Sequence, residues 1–153
     1  MVFIGLRSWN VGGGAKGYLQ RNASYQLNHE ADRMNEILIV DDDPIVRNFL
    51  RRMLCIQGYF CTEAEHGQEA IEHLRTHRPC LIITDHQMPE MTGIQFIENI
   101  SQQRDYSTIP VILLIRDDNH DLSERAKQLG VHTILDKPLD YRRISLAVES
   151  VLL

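Results

Sequence analysis

The chain has 153 residues, enough for one domain with a core of useful size and little else. Hydrophobic residues make up 43% and charged residues 24%, a globular rather than a disordered balance, and the net charge of -5 argues against nucleic acid or an anionic membrane as partner. The longest apolar stretch in a strand core, Val111 to Ile115, is too short to span a bilayer, and the opening Met1-Val2-Phe3-Ile4-Gly5-Leu6-Arg7 is broken too early for a signal peptide.

Residues 1–33 read differently from everything after them, with a Gly12-Gly13-Gly14 run and no sustained apolar period. They are expected to be a flexible N-terminal extension, and Met34 could itself be a translation start. Regularity begins at Glu36. Ile37-Leu38-Ile39-Val40, stopped by Asp41-Asp42-Asp43, reads as a strand buried on both faces. Val46, Phe49, Leu50, Met53 and Leu54 then recur at helical spacing, with Arg47, Arg51 and Arg52 on the other side and Gly58 as the stop.

Tyr59 to Ala64 predicts a short second strand, and Ala70, Ile71 and Leu74 mark a second helix. Leu81-Ile82-Ile83-Thr84 is a third strand ending on Asp85. A loop through Met88-Pro89 and Gly93 leads to a helix carrying Ile94, Phe96, Ile97 and Ile100. Val111 to Ile115 is the fourth strand, a polar helix runs from about Asn119 to Leu129, and Val131 to Leu135 is the fifth strand before Lys137-Pro138. Ile144, Ala147, Val148 and Val151 line a last helix. Apolar strands alternating with helices predict an α/β domain with a parallel sheet covered on both faces.

In an open parallel sheet, functional groups gather beyond the carboxyl ends of the strands. Here those ends supply Asp41, Asp42 and Asp43, then Asp85, then Ile115-Arg116, then Lys137. One aspartate after a strand is commonly a turn former or helix cap. Two acidic strand ends and an ammonium converging on one edge point instead to chemistry. Such carboxylates repel and raise one another's pKa unless a cation joins them, and oxygen-only ligands suit Mg²⁺.

The segments Ile37-Leu38-Ile39-Val40-Asp41-Asp42-Asp43-Pro44, Thr84-Asp85-His86-Gln87-Met88-Pro89-Glu90-Met91-Thr92-Gly93 and Lys137-Pro138 resemble the marks of response-regulator receiver domains. The resemblance covers about Met34 to Leu153, and the spacing between the segments agrees with it. It implies a doubly wound, flavodoxin-like, five-stranded sheet in the order 2-1-3-4-5, with helices on both faces and a receiver over residues 34–153. It implies Asp85 as phosphoacceptor from a histidine kinase or histidine phosphotransfer protein. Mg²⁺ would be held by Asp41, Asp42, Asp85 and the backbone carbonyl of Gln87. Lys137 would pair with Asp85 and later with a phosphoryl oxygen, across a cis Lys137-Pro138 bond.

Two positions depart from the family pattern. Ile115 stands where a Thr or Ser usually ends the fourth strand, and Ile134 where the fifth strand usually carries an aromatic; Arg116 also replaces a small residue. The acceptor site is therefore expected intact and the relay to the surface altered.

Other motifs carry blander readings. Gly12-Gly13-Gly14-Ala15-Lys16-Gly17 lacks the strand and helix that a dinucleotide site requires. His73 and His77, four apart on a helix, are expected on a solvated face, and Arg142-Arg143 as a solvated pair. Asn22-Ala23-Ser24 is a sequon only in a secreted protein. Cys55, Cys61 and Cys80 have no framework spacing and are expected unpaired, buried and reduced in the cytoplasm. The function expected is a non-enzymatic, single-domain signalling receiver acting through protein contact, without nucleic acid or membrane. The alternatives are a phosphorylation-independent binding module and, third, a phosphohydrolase using Asp41 and Asp43.

Overall fold

The computed structural model describes residues 34–117 and 120–153. The expectations placed on residues 1–33, and on Asn119 as a helix start, lie outside the described residues. Elements alternate along the chain: β1 (Glu36–Val40), α1 (Pro44–Ile56), β2 (Phe60–Ala64), α2 (Gly67–Leu74), β3 (Leu81–Asp85), α3 (Gly93–Ser101), β4 (Val111–Ile115), α4 (His120–Gln128), β5 (Thr133–Asp136) and α5 (Tyr141–Leu152). All strand pairs are parallel, in the order β2-β1-β3-β4-β5. This is the doubly wound sheet expected from the sequence.

Strand side chains alternate between two cores. Leu38, Val40, Ile82, Leu113 and Ile115 face Ala70 and Leu74 of α2, Phe96 and Ile97 of α3 and Ala126 of α4. Ile37, Ile39, Leu81, Ile83, Ile112 and Leu114 face Leu50 and Leu54 of α1 and Ile144 and Val148 of α5. Because both faces are covered, the three inner strands are buried at every position, whereas edge strands β2 and β5 carry Thr62, Glu63, Thr133 and Asp136. Burying each Leu or Ile side chain fully contributes about 1.5–3 kcal/mol, so these two layers dominate the stabilisation.

Helix ends follow local chemistry. Asp43 caps α1 by accepting from the Ile45 amide at 2.8 Å, with Pro44 in the first turn. Thr92 and Gln95 form a reciprocal capping box on α3, and Asp140 accepts from the Arg143 amide on α5. Gly58, at φ +90°, turns the chain out of α1. The fifth strand starts two residues later than expected. Gly130 has φ +78°, and the Val131 amide still bonds back to the Ala126 carbonyl, so the chain is turning there.

Three side-chain expectations fail. The inward face of α1 is formed by Arg47, Leu50, Met53 and Leu54, so Phe49 is left 38% exposed and Arg47 only 7% exposed. Cys55 is exposed and Cys61 and Cys80 are partly buried, all three free; burial pushes the Cys61 thiol up to about 12. His73 is not solvated: its Nε2 lies 2.6 Å from Oε1 of buried Glu36 and its ring stacks on His77 at 4.1 Å. Glu36 opens β1, so this pair sits at the end of the sheet opposite the acidic strand ends. Among the described residues no helix is long and apolar enough to cross a membrane.

Candidate functional site: an acidic pocket at the carboxyl ends of the strands

The parallel register brings Val40 beside Thr84 and Ile115 beside Asp136, so the ends of β1, β3, β4 and β5 share one edge. Asp41 follows β1 directly, Asp85 is the last residue of β3, and both are completely buried; Asp42 is exposed. One carboxylate oxygen from each of these three residues lies within 4.8 Å of the others. Lys137 reaches in from the end of β5, its Nζ 2.9 Å from Asp41 Oδ2 and 3.1 Å from Asp85 Oδ1. Its backbone amide donates to the Ile115 carbonyl at 2.7 Å, and the Lys137-Pro138 peptide is cis, as the family resemblance implies.

Asp41 is fully engaged. Its amide bonds the Ala64 carbonyl, its Oδ1 accepts from the Asp43 amide at 2.9 Å and its Oδ2 accepts from Lys137. Asp85 is not. Neither of its buried oxygens has a well-aligned hydrogen-bond donor among the described residues, Lys137 standing close but off-axis. Burial, reinforced by the Asp41 charge, pushes the Asp85 carboxyl above the ordinary carboxylate range, with Lys137 and the Gln87 amide pulling the other way.

Three carboxylates against one ammonium leave negative charge in a pocket whose ligand atoms are all oxygens. The two unsatisfied oxygens of Asp85 supply free lone pairs in that pocket. A small hard cation that keeps several of its own waters fits this donor set. Asp43, the third of the acidic run, is turned away to cap α1 and is not part of the cluster.

The segment after Asp85 is fixed from both sides. The His86 amide bonds the Leu114 carbonyl, and the His86 carbonyl accepts from the Gly93 amide at 2.9 Å. The His86 imidazole is kept below its ordinary pKa by burial, against the pull of Asp85. Ile115 and Ile134 both pack in the core layer beneath α2, α3 and α4, Ile115 fully buried. Arg143 is exposed, as expected, and also donates to the Asp136 carbonyl at 3.0 Å, which links α5 to the end of β5.

A family model, that of the response regulator receiver domain, matches residues 37–149, three acidic positions and the lysine included. The chain belongs to this family.

An uncharacterised 14.6 kDa protein of Leptolyngbya boryana is 35% identical over 105 residues, which are 69% of this chain and 80% of that one. The DNA-binding transcriptional regulator NtrC of Proteus hauseri is 32% identical over 104 residues, 68% of this chain but only 22% of that regulator. This receiver thus spans about a fifth of that protein. In three dimensions the chemotaxis protein CheY4 of Vibrio cholerae superposes with a TM-score of 0.74 at 28% identity, covering 78% of this chain and 99% of that one. Receiver domains are the phosphoacceptor signalling modules of two-component systems; they bind Mg²⁺ in an acidic pocket and interact with histidine kinases and phosphotransfer proteins.

Two features of the site escaped sequence reasoning. Its charge places Arg47 on the solvent side of α1, although its guanidinium bonds the Asp41 carbonyl from behind the pocket, and Gly93 reads as a loop residue, although α3 starts against Asp85. The only sequence signal for the second was a glycine directly at a helix start.

Proposed function

We propose that Asp85 accepts a phosphoryl group from the phosphohistidine of a histidine kinase or histidine phosphotransfer protein. An Asp85 oxygen forms the new O–P bond as the N–P bond to the histidine breaks and the imidazole leaves. The observation that carries this reading is the buried Asp85 carboxylate, without an aligned donor, beside Lys137 and the Asp41–Asp42 pair. Asp41, Asp42, Asp85 and the Gln87 carbonyl would hold Mg²⁺, which supplies countercharge to the equatorial phosphoryl oxygens. Lys137 neutralises Asp85 before transfer and is within reach of a phosphoryl oxygen afterwards.

Residues 34–153 act as the receiver, with residues 1–33 an appendage to it, and the product signals from the cytoplasm by protein contact rather than as an enzyme or by touching nucleic acid or membrane. A second reading, a binding module that works without phosphorylation, draws on one observation: buried Ile115 offers no hydroxyl where the relay would begin. The phosphohydrolase reading loses support because Asp43 is committed to its cap.

Incubation with a small phosphodonor and Mg²⁺, followed by mass analysis, tests these readings together. One phosphoryl group gained on Asp85, and none in Asp85→Asn, is expected. No gain would favour the binding module, and continuing turnover through Asp41 the hydrolase.

A further inference from the structure

Arg47 is the one buried cationic side chain among the described residues. It sits in the first turns of α1, behind the acidic pocket rather than in it. Its three guanidinium nitrogens serve three different partners: Nη1–H donates to the Asp41 carbonyl at 2.7 Å, Nε–H to Glu63 Oε2 at 3.1 Å and Nη2–H to Glu65 Oε1 at 3.3 Å. Glu63 is the penultimate residue of β2 and also pairs with Arg51 at 2.9 Å, while the Glu65 amide is held by Glu69 Oε2. The charge of Arg47 is thus balanced at the β2 end, and the bond that remains for the pocket goes to a peptide, not to a carboxylate.

That peptide decides where the acids point. The Asp41 amide is fixed by Ala64, its carbonyl by Arg47, and its carboxylate by Asp43 and Lys137. Asp42, the exposed member of the cluster, projects from the turn that begins at this carbonyl. Only a planar fork with several fixed donors can tie the Asp41 carbonyl to two carboxylates at the end of β2; a lysine ammonium, a single point on a flexible stem, cannot hold all three in register.

We propose that Arg47 is a positioning residue for the Mg²⁺ pocket, acting through the Asp41 peptide to set the Asp41–Asp43 turn. This rests on the reading of the pocket as a Mg²⁺ site. Partners that orient a metal's ligands are commonly worth ten- to a hundredfold in affinity.

Mg²⁺ titration of the full chain by calorimetry, below the melting transition of each variant, tests it. Arg47→Met should weaken Mg²⁺ binding about tenfold or more, and Arg47→Lys, which keeps one donor for the Asp41 carbonyl, should recover part of that loss. Glu65→Gln removes the charge of an exposed outer partner while leaving an acceptor oxygen for Nη2–H, and should stay within about twofold of wild type. A readout free of metal accompanies these: the Asp43 amide resonance, reporting its bond to Asp41 Oδ1, should move in both Arg47 variants and not in Glu65→Gln.

If Arg47→Met does not fold, Arg47→Lys decides, with an intermediate affinity and a displaced Asp43 resonance expected. Wild-type affinity in a folded Arg47 variant, or an equal loss in Glu65→Gln, overturns the role given to Arg47. A wild-type protein that takes up no Mg²⁺ overturns the reading of the pocket instead, and the two failures are told apart by the wild-type titration alone.

Discussion

Gly93 and Asp85 meet backbone to backbone: a Cβ placed on Gly93 would lie 2.3 Å from the Asp85 carbonyl oxygen and 2.9 Å from the His86 Cα. The neighbour is main chain, so no side chain can move aside. Helix α3 begins directly on the end of β3, and the Gly93 amide completes the contact by donating to the His86 carbonyl. Gly93→Ala should therefore cost about 1–3 kcal/mol, the usual penalty of overpacking, and should disturb the Asp85 loop. Urea denaturation gives the first quantity and the Asp85 and His86 amide shifts the second. An alanine variant of unchanged stability would mean that α3 can slide outward freely.

Replacing Asp85 removes a buried charge that the fold tolerates poorly. Asp85 titrates above the ordinary carboxylate range because of burial and Asp41. The folded state then binds the proton more tightly than the unfolded chain, so stability falls as pH rises from the unfolded value through the folded one. Asp85→Asn should abolish this part of the pH dependence, raise the neutral-pH melting temperature and leave no phosphoryl acceptance. Melting curves from acid to neutral pH check the sign. A neutral-pH melting temperature below wild type would show that the Lys137 pair outweighs the burial.

The three consecutive aspartates should separate by role. Asp43→Ala deletes the cap on α1 and should cost about 0.5–2 kcal/mol while leaving Mg²⁺ binding largely intact. Asp42→Ala should do the opposite, losing most Mg²⁺ binding with little change in stability. Paired denaturation and Mg²⁺ titrations on both variants decide the matter, and the reverse pattern would place the register off by one.

The core isoleucines should blunt the conformational response. A hydroxyl at position 115 would give a phosphoryl oxygen a charge-assisted hydrogen bond of roughly 1.5–3 kcal/mol, which Ile115 forgoes. Moving a two-state equilibrium from 1:99 to 99:1 takes about 5.5 kcal/mol, so the shortfall is a large share of what a full switch requires. A stable phosphoryl mimic should thus cause small amide shifts across residues 120–135 in the wild type and larger ones in Ile115→Thr. Large wild-type shifts, unaltered by the substitution, would show another route from pocket to surface.

The strands, the sheet class and the acidic strand ends were legible in the sequence because they are local. Ile37 to Val40, Leu81 to Ile83 and Val111 to Ile115 are unbroken apolar runs, each ended by polar residues, as strands covered on both faces read. Chain order and parallel pairing then carry Asp41, Asp85 and Lys137 to one edge without further information. Packing decided what composition could not. Phe49 and Arg47 are two residues apart on one helix, and apolarity alone would bury the first and expose the second. The structure reverses them because the Asp41 carbonyl and Glu63 give the guanidinium acceptors on the inner side of the helix. Likewise Lys137 bonds Asp41 from 96 residues away as well as pairing with Asp85, a choice set by where β5 lies against β4 and by the reach of one side chain. Apolar periodicity encodes which face turns inward. Which charges then meet is fixed only when the layers close and each buried polar atom must take a partner from whatever segment has arrived beside it.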